Sequence, residues 1–101
     1  MTYRLIYTQT FEKAIEKLKK KDRALLEEAA RKAEKLQEAP YTGKALKYKL
    51  ASYRSVRVRG KYRLVYRVAE DKREVILIAF GHRKEIYKFL MFLRESGIDT
   101  R

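Results

Sequence analysis

The most constraining feature of this sequence is the stretch VRVRGKYRLVYRV, in which apolar residues alternate with arginines on either side of a glycine. Alternation with a period of two is typical of β-strands that have one buried face. A three-residue turn at 59–61 pairs Val58 with Tyr62 and keeps one face of the hairpin apolar, whereas a two-residue turn would mix the faces. The stretch therefore predicts an antiparallel hairpin in which Arg57 and Arg63 lie side by side, on the face away from the core.

Most of the positive charge lies in the same part of the chain. The net charge is +13, and residues 39–69 hold nine basic residues and no acidic ones, a net +9. Residues 1–38, with ten basic and seven acidic residues, and residues 70–101, with seven and six, are nearly balanced. A segment with nine unanswered cations repels itself unless a polyanion binds it, which indicates nucleic acid as the partner. A bland basic surface and an acidic protein partner are the alternatives.

The facing arginines, Arg57 and Arg63, are unfavourable in a sheet, since like charges at opposite positions destabilise it. Guanidinium groups are planar and can bind a phosphate through two hydrogen bonds at once. We interpret the pair as an anion site assembled on rigid strands. The alternative is that both side chains simply extend into water.

Length and composition limit the class of protein. With 101 residues, the chain is long enough for a single domain, 1–101, with one modest core. The absence of cysteine excludes disulfides and thiolate chemistry and suits a reducing cytoplasm. No apolar run approaches the roughly 18 residues that a membrane-spanning helix needs, and the first ten residues do not resemble a signal peptide. We therefore expect a cytoplasmic protein with no membrane partner.

Hydrophobic periodicity predicts the element order β-α-α-β-β-β-β-α. This order indicates an α+β fold in which one antiparallel sheet packs under a helical hairpin. Thr10 is expected to cap the first helix and Asp22 the second, with the lysines at 19–21 in the turn between them. Ala39-Pro40, followed by Gly43, ends the hairpin.

Five strands and a closing helix complete the predicted fold. The strands are expected at about 3–7, 45–50, 53–59, 62–69 and 74–80. The last of them, EVILIAF, is apolar without alternation, as expected for a central strand that is covered on both faces. The closing helix is predicted at about 84–96, with Gly97 as its C-terminal cap.

The strand YRLVYRV, and the later run EVILIAF leading into GHRKEIY, resemble the RelE/ParE superfamily of toxins from bacterial and archaeal toxin–antitoxin modules. The order of elements agrees over essentially the whole chain, and the specific signature lies within residues 53–87. Resemblance to RelE implies a ribosome-dependent endoribonuclease that cuts messenger RNA in the ribosomal A site. It also implies three partners: ribosome-bound mRNA, ribosomal RNA and a cognate RelB-like antitoxin that holds the toxin inactive.

The resemblance assigns catalytic roles residue by residue. Arg63 matches the family arginine of the YRLVY strand, Arg83 matches the arginine after the last strand, and Tyr87 matches the tyrosine at the start of the closing helix. Arg57 and Ser55 stand where RelE has lysines, and the lysine at the position of Arg57 is thought to deprotonate the ribose. An arginine, with a pKa above about 12, is a poor general base. These departures leave open a homologue that binds RNA or ribosomes without cutting.

Cleavage of RNA by its own 2′-hydroxyl needs a proton acceptor, positive charge at the phosphorane and a proton donor for the leaving 5′-oxygen. Arg57 and Arg63 suit the second need. Arg83 suits either charge stabilisation or the donor side, and Tyr87 either stacks on a base or packs against the core.

The sequence does not identify the proton acceptor. His82 is the only histidine, and strand alternation turns it away from the site if Arg83 faces it. Lys47, Lys49 and Lys61, called the lysine trio below, could supply an amine if crowded cations lower its pKa. The basic residues predicted to contact RNA phosphates are Lys47, Lys49, Arg54, Arg59 and Lys61.

Other chemistries find little support in this sequence. The carboxylates are scattered over helix surfaces, so no metal site is predicted, and no glycine-rich phosphate motif indicates a cofactor. The rival function from a different class is a ParE-like inhibitor of DNA gyrase. ParE-type toxins share the fold but generally lack the cation and tyrosine set of RelE.

Overall fold

The computed structural model describes residues 2–96 of the chain and has the predicted α+β fold. Five strands form one sheet in the order β1-β5-β4-β3-β2. The strands are β1 (Arg4–Tyr7), β2 (Lys44–Ala45), β3 (Tyr53–Val58), β4 (Tyr62–Ala69) and β5 (Glu74–His82). The helices are α1 (Gln9–Lys21), α2 (Arg23–Glu38) and α3 (Arg83–Ser96), and single 3-10 turns occupy Tyr48–Leu50 and Glu70–Lys72. The predicted cap at Gly97 lies outside the described residues.

Strands β2 to β5 pair antiparallel, as predicted, whereas the N-terminal strand β1 pairs parallel with β5. This pairing places β5 inside the sheet. Residues 75–80 are all buried, which confirms the prediction of a central strand covered on both faces. Burial on both faces explains why this strand lacks alternation.

Each face of the sheet has its own core. The larger core lies under the α1–α2 hairpin and includes Phe11, Leu25 and Tyr66. The smaller one lies on the opposite face, where Ile86 and other apolar residues of α3 pack over the sheet. The face that carries Arg57 and Arg63 was predicted to point away from the core, but α3 covers part of it. The arginines therefore lie beside a helix instead of on a bare sheet.

The register of the central hairpin agrees with the prediction. Val58 pairs with Tyr62, and Arg57 pairs with Arg63. The turn at 59–61 contains two left-handed residues, Arg59 with φ of 53° and Gly60 with φ of 74°. Glycine adopts such a conformation at no steric cost, which suits it to this turn.

Strand β5 contains a bulge at Ile78 and Ala79. Val65 of β4 pairs with Ala79, but the next residue, Tyr66, pairs with Leu77, so Ile78 has no partner on β4. Ile78 and Ala79 both face the smaller core under α3. The bulge therefore shifts the alternation of side chains over the last residues of the strand.

Two local predictions at α1 were wrong. The cap of α1 is Thr8 instead of Thr10, because the Thr8 hydroxyl accepts a hydrogen bond from the Phe11 amide (3.3 Å) and donates one to the Leu77 carbonyl (2.8 Å). The lysines at 19–21 form the last turn of α1, where cations interact favourably with the helix dipole. Only Asp22 leaves the helix, and it caps α2 as predicted by accepting from the Leu25 amide (3.0 Å).

The predicted strand at 45–50 was also largely wrong. Only Lys44 and Ala45 pair with β3, and the chain then forms the 3-10 turn. The backbone of Tyr48 has φ of 56°, a left-handed conformation that differs from the extended backbone of a regular strand. Leu46 and Leu50, on either side of it, pack into the smaller core.

Candidate functional site

A shallow groove lies between the β2–β3 edge of the sheet and α3. Its wall combines side chains from the strands, the helix and the segment after β2, and the polar ones are Lys44, Lys47, Ser55, Arg63 and Tyr87. The groove therefore brings together two of the residues predicted to be catalytic, Arg63 and Tyr87, with one of the lysines predicted to bind RNA.

Arg57 and Arg63 lie opposite each other on β3 and β4. Arg57 is exposed and Arg63 is half-buried. Within residues 2–96, neither guanidinium has a hydrogen-bond or ion-pair partner, although four other cations form five ion pairs with acids. Only Arg63 lines the groove; Arg57 is its neighbour across the strands. The pair offers up to ten N–H donors to an anion beside α3.

Arg83 and Tyr87 lie one turn apart at the start of α3. The Arg83 amide donates to the Lys61 carbonyl (2.8 Å), so the β3–β4 turn is held against the first residue of α3. The Arg83 side chain is exposed and does not line the groove. Tyr87 is half-exposed, whereas the adjacent Ile86 is buried, so the tyrosine ring lines the groove instead of filling the core.

Two of the predicted RNA-binding arginines are engaged elsewhere in the fold. Arg59 donates to Glu28 (3.0 Å) and to Asp22 (3.3 Å), and the hydrogen bond to Glu28 raises the pKa of Arg59. Arg54 donates to the Gly43 carbonyl (2.7 Å) and lies over the ring of Tyr41. The prediction that no cation of the middle segment has an acidic partner is therefore wrong at Arg59. Its partners come from outside the segment, from the α1–α2 junction and from α2.

His82 is the last residue of β5, directly before α3, and does not line the groove. Its Nδ1 accepts from the Lys84 amide (3.2 Å), and Glu85 accepts from the His82 amide (3.2 Å), a reciprocal arrangement like a capping box. Its ring meets the edge of Tyr62, which packs against the core under the α1–α2 hairpin. The histidine is therefore on the opposite face of the sheet from Arg63.

A family model described as the ParE toxin of the type II toxin–antitoxin system, parDE, matches residues 5–87. The chain belongs to this family. It is a toxin of the RelE/ParE superfamily, as the resemblance in the sequence predicted.

The toxin is similar in sequence to a named relative, and in sequence and fold to several solved structures. A protein named RelE4 from Methanocaldococcus jannaschii is 29% identical over 86 residues, which are 85% of this chain and 92% of that protein. The solved structure of the toxin–antitoxin complex RelBE2 from Mycobacterium tuberculosis is similar with a TM-score of 0.72 and 30% identity, covering 82% of this chain and 100% of that one. A mutant of the E. coli toxin RelE in the free state has a TM-score of 0.71 and 26% identity, covering 87% and 93%.

A polar cluster that was not predicted lies at the far end of β4. There the Glu70 carboxylate accepts hydrogen bonds from the hydroxyls of Tyr41 and Tyr3 and from the guanidinium of Arg73 (2.9 Å). The hydrogen bond to Glu70 raises the pKa of Tyr41 to about 12, and the same bonds lower the pKa of Glu70, that from Tyr41 most of all. The cluster ties the N-terminal segment to the loop after α2.

Neither a metal centre nor a membrane span is found in the described part of the toxin. Residues 2–96 contain no group of three or more His, Cys, Asp or Glu side chains that could hold a metal ion. No helix among those residues is long and apolar enough to cross a bilayer.

Proposed function

We propose that the toxin is a RelE-like endoribonuclease that cleaves mRNA on the ribosome. The observation that carries this proposal is the groove, which Arg63 of β4 and Tyr87 of α3 line together. Arg57 lies opposite Arg63 on β3, and neither arginine has an acidic partner in the described chain. Unpaired guanidinium groups beside an exposed aromatic ring are suited to a phosphate and its neighbouring base.

The proposed reaction is internal attack by the ribose 2′-oxygen on the adjacent phosphorus. The P–O5′ bond breaks, the 2′-hydroxyl loses its proton and the leaving 5′-oxygen gains one. Arg63 and Arg57 stabilise the negative charge of the phosphorane, which is usually the largest contribution in such a site. Arg83, at the start of α3, acts on the leaving-group side, and Tyr87 orients the nucleotide.

Lys47 is the proposed proton acceptor. Of the lysine trio, it is the one that lines the groove together with Arg63. His82, the other candidate, is occupied as a helix cap on the opposite face. This route uses only side chains of the toxin and needs no metal ion.

The partners follow from the same reasoning. The relative from M. tuberculosis was solved as a toxin–antitoxin complex, and we propose a RelB-like antitoxin as the partner that holds this toxin inactive. Ribosome-bound mRNA is the proposed substrate, and ribosomal RNA is the proposed binding partner on the ribosome. The proposed site of action is the cytoplasm.

The decisive experiment compares two messages on assembled ribosomes, with magnesium retained because ribosomes require it. One message has ribose throughout, and the other carries a single 2′-deoxy substitution at the cut nucleotide. We expect cleavage of the first message only, with a 2′,3′-cyclic phosphate on one fragment and a 5′-hydroxyl on the other, identified by mass. A 5′-phosphate end, or cleavage of the deoxy message, would contradict internal attack and indicate activated water.

A second candidate is a ParE-like inhibitor of DNA gyrase, which the description of the matching family favours. Toeprinting of ribosome-bound mRNA and a gyrase supercoiling assay with the same purified toxin separate the two. Inhibition of gyrase without a cut in the message would favour the ParE-like function. Ribosome binding without a cut would favour a homologue that binds but does not cleave.

A further inference from the structure

Tyr48 is more exposed than any other large apolar side chain in the described chain. Its exposed fraction is 88%, whereas the others of this group lie between 46% and 58%. Over residues 2–96 its side chain makes no ring contact, hydrogen bond or cation–π contact. Single exposed aromatic residues are common on protein surfaces, so exposure alone does not indicate a function.

The backbone at Tyr48 supplies a second observation. Its left-handed φ of 56° is uncommon for a residue with a side chain, and such conformations cluster at binding and catalytic sites. The turn is nevertheless well fixed: the Leu50 amide donates to the Lys47 carbonyl (3.1 Å) and the Ala51 amide to the Tyr48 carbonyl (3.0 Å). Leu46 and Leu50 anchor both sides of the turn in the core under α3. A rigid turn thus directs an aromatic ring into solvent.

The charge around Tyr48 is entirely positive in sequence. Lys47 and Lys49 flank it, both are exposed, and no acidic residue occurs between 39 and 69. Lys47 also lines the groove with Arg63 and Tyr87. Tyr48 follows Lys47 directly in the chain and is not part of the groove lining, so we place it at the rim of the proposed active site. Aromatic rings set among cations are the usual means of binding single-stranded nucleic acid, since bases stack on the rings while the cations contact phosphates.

We propose that Tyr48 is an RNA-binding residue, which stacks on an unpaired base next to the cleaved nucleotide while Lys47 and Lys49 contact the flanking phosphates. This inference rests on the proposed function for the identity of its ligand, RNA. It adds a stacking platform outside the groove, at a position that the superfamily resemblance did not assign. A protein partner that covers Tyr48 is the competing occupant and is an outcome of the test.

The test uses the absence of tryptophan from the chain. Tyr48→Trp introduces a single indole at the rim, and Tyr7→Trp introduces one at a half-exposed tyrosine of β1 that stacks on Phe11, away from the groove. Each variant is titrated at low salt with a short single-stranded RNA and, separately, with inorganic polyphosphate. We expect RNA to quench the indole at 48 but not the one at 7, and polyphosphate to quench neither.

Affinity measurements on variants that contain no tryptophan complete the test. Tyr48→Ala is expected to weaken RNA binding by about 5- to 150-fold, the range measured for loss of one base–aromatic stack. Tyr48→Phe keeps the ring and is expected to bind within about twofold of the unmodified toxin. The salt dependence of binding should be the same for Tyr48→Ala as for the unmodified toxin, because stacking releases no counterions.

The outcomes separate this inference from the proposed function. RNA binding with an unquenched indole at 48, or full affinity in Tyr48→Ala, overturns the stacking role even if the toxin cuts mRNA on ribosomes. Quenching by a RelB-like antitoxin but not by RNA identifies the surface as a protein interface and also overturns it. If the toxin binds no RNA and cuts none on ribosomes, the proposed function fails, and the stacking role fails with it.

Discussion

Neutralising one of the facing arginines should stabilise the fold while it removes activity. Arg57 and Arg63 are paired across β3 and β4, and no acid in the described chain bonds to either. Like charges at opposite positions of a sheet cost about 0.2–1 kcal/mol. For a domain of this size, each kcal/mol shifts the Tm by about 4–8 °C, so Arg63→Gln should raise the Tm by roughly 1–8 °C.

Glutamine is the suitable replacement because Arg63 is half-buried and lines the groove, so a side chain with a similar stem and no charge is needed. Thermal unfolding is measured by circular dichroism for Arg57→Gln, Arg63→Gln and the double variant. Because either single change removes the same repulsion, the second change should add little, and the gain should shrink in high salt as charges are screened. Ribosome-dependent cleavage by Arg63→Gln should fall by about 100- to 1,000-fold.

The control is Arg31→Gln, which neutralises an exposed arginine of α2 and should change neither Tm nor cleavage. A fall in the Tm of Arg63→Gln by several degrees, with residual activity that follows only the folded fraction, would refute the reasoning. Additive effects in the double variant would show that the two guanidinium groups do not repel each other.

Four further predictions concern other parts of the toxin. Arg83→Ala should lower cleavage by about 100- to 1,000-fold without lowering the Tm, because its side chain is exposed and not part of the core. Replacing the lysine trio by alanine should flatten the log–log salt dependence of RNA affinity by up to about two units, and an unchanged slope would place the binding face elsewhere. Tyr66→Phe should lower the free energy of unfolding by about 1–3 kcal/mol, measured by urea denaturation, because this buried hydroxyl donates to the Pro40 carbonyl (2.7 Å) and accepts from the Gly43 amide (2.9 Å). The pKa of Tyr41 is raised to about 12, so the stability from its bond to Glu70 is full below about pH 10 and is lost towards pH 12; Tyr41→Phe should remove that part of the alkaline loss in a pH series of Tm values.

The parts of the fold that depend only on residues close together in the sequence could be predicted. The register of β3 and β4 follows from alternation and from a three-residue turn, both of which are local. The cap at Asp22 is local too. Thr8 and Thr10 are equally suitable caps by local chemistry, and the choice between them depends on the Leu77 carbonyl, which lies far away in sequence.

The predicted site residues could be named from the sequence, whereas their surroundings could not. Arg63 and Tyr87 could be assigned by resemblance, and the structure places both in one groove. The partners of Arg59 could not be predicted, because Asp22 and Glu28 approach it only once the helical hairpin packs on the sheet. Tyr48 was not singled out from the sequence, because the surrounding run was interpreted as a strand, although a tyrosine between two lysines is visible in the sequence.

The bulge in β5 determines which side chains of the strand face each side of the sheet. Before it, the even-numbered side chains, such as Ile76 and Ile78, face α3; after it, the odd-numbered positions do, beginning with Ala79. This change of parity sends the imidazole of His82 towards Tyr62 and away from the arginines. If the strand had kept strict alternation past Ile78, its even-numbered positions, including His82, would have continued to face the side of the sheet that α3 covers. In a sheet of this kind, one bulge can therefore decide which side chains face a site on either side, with no substitution in the site itself.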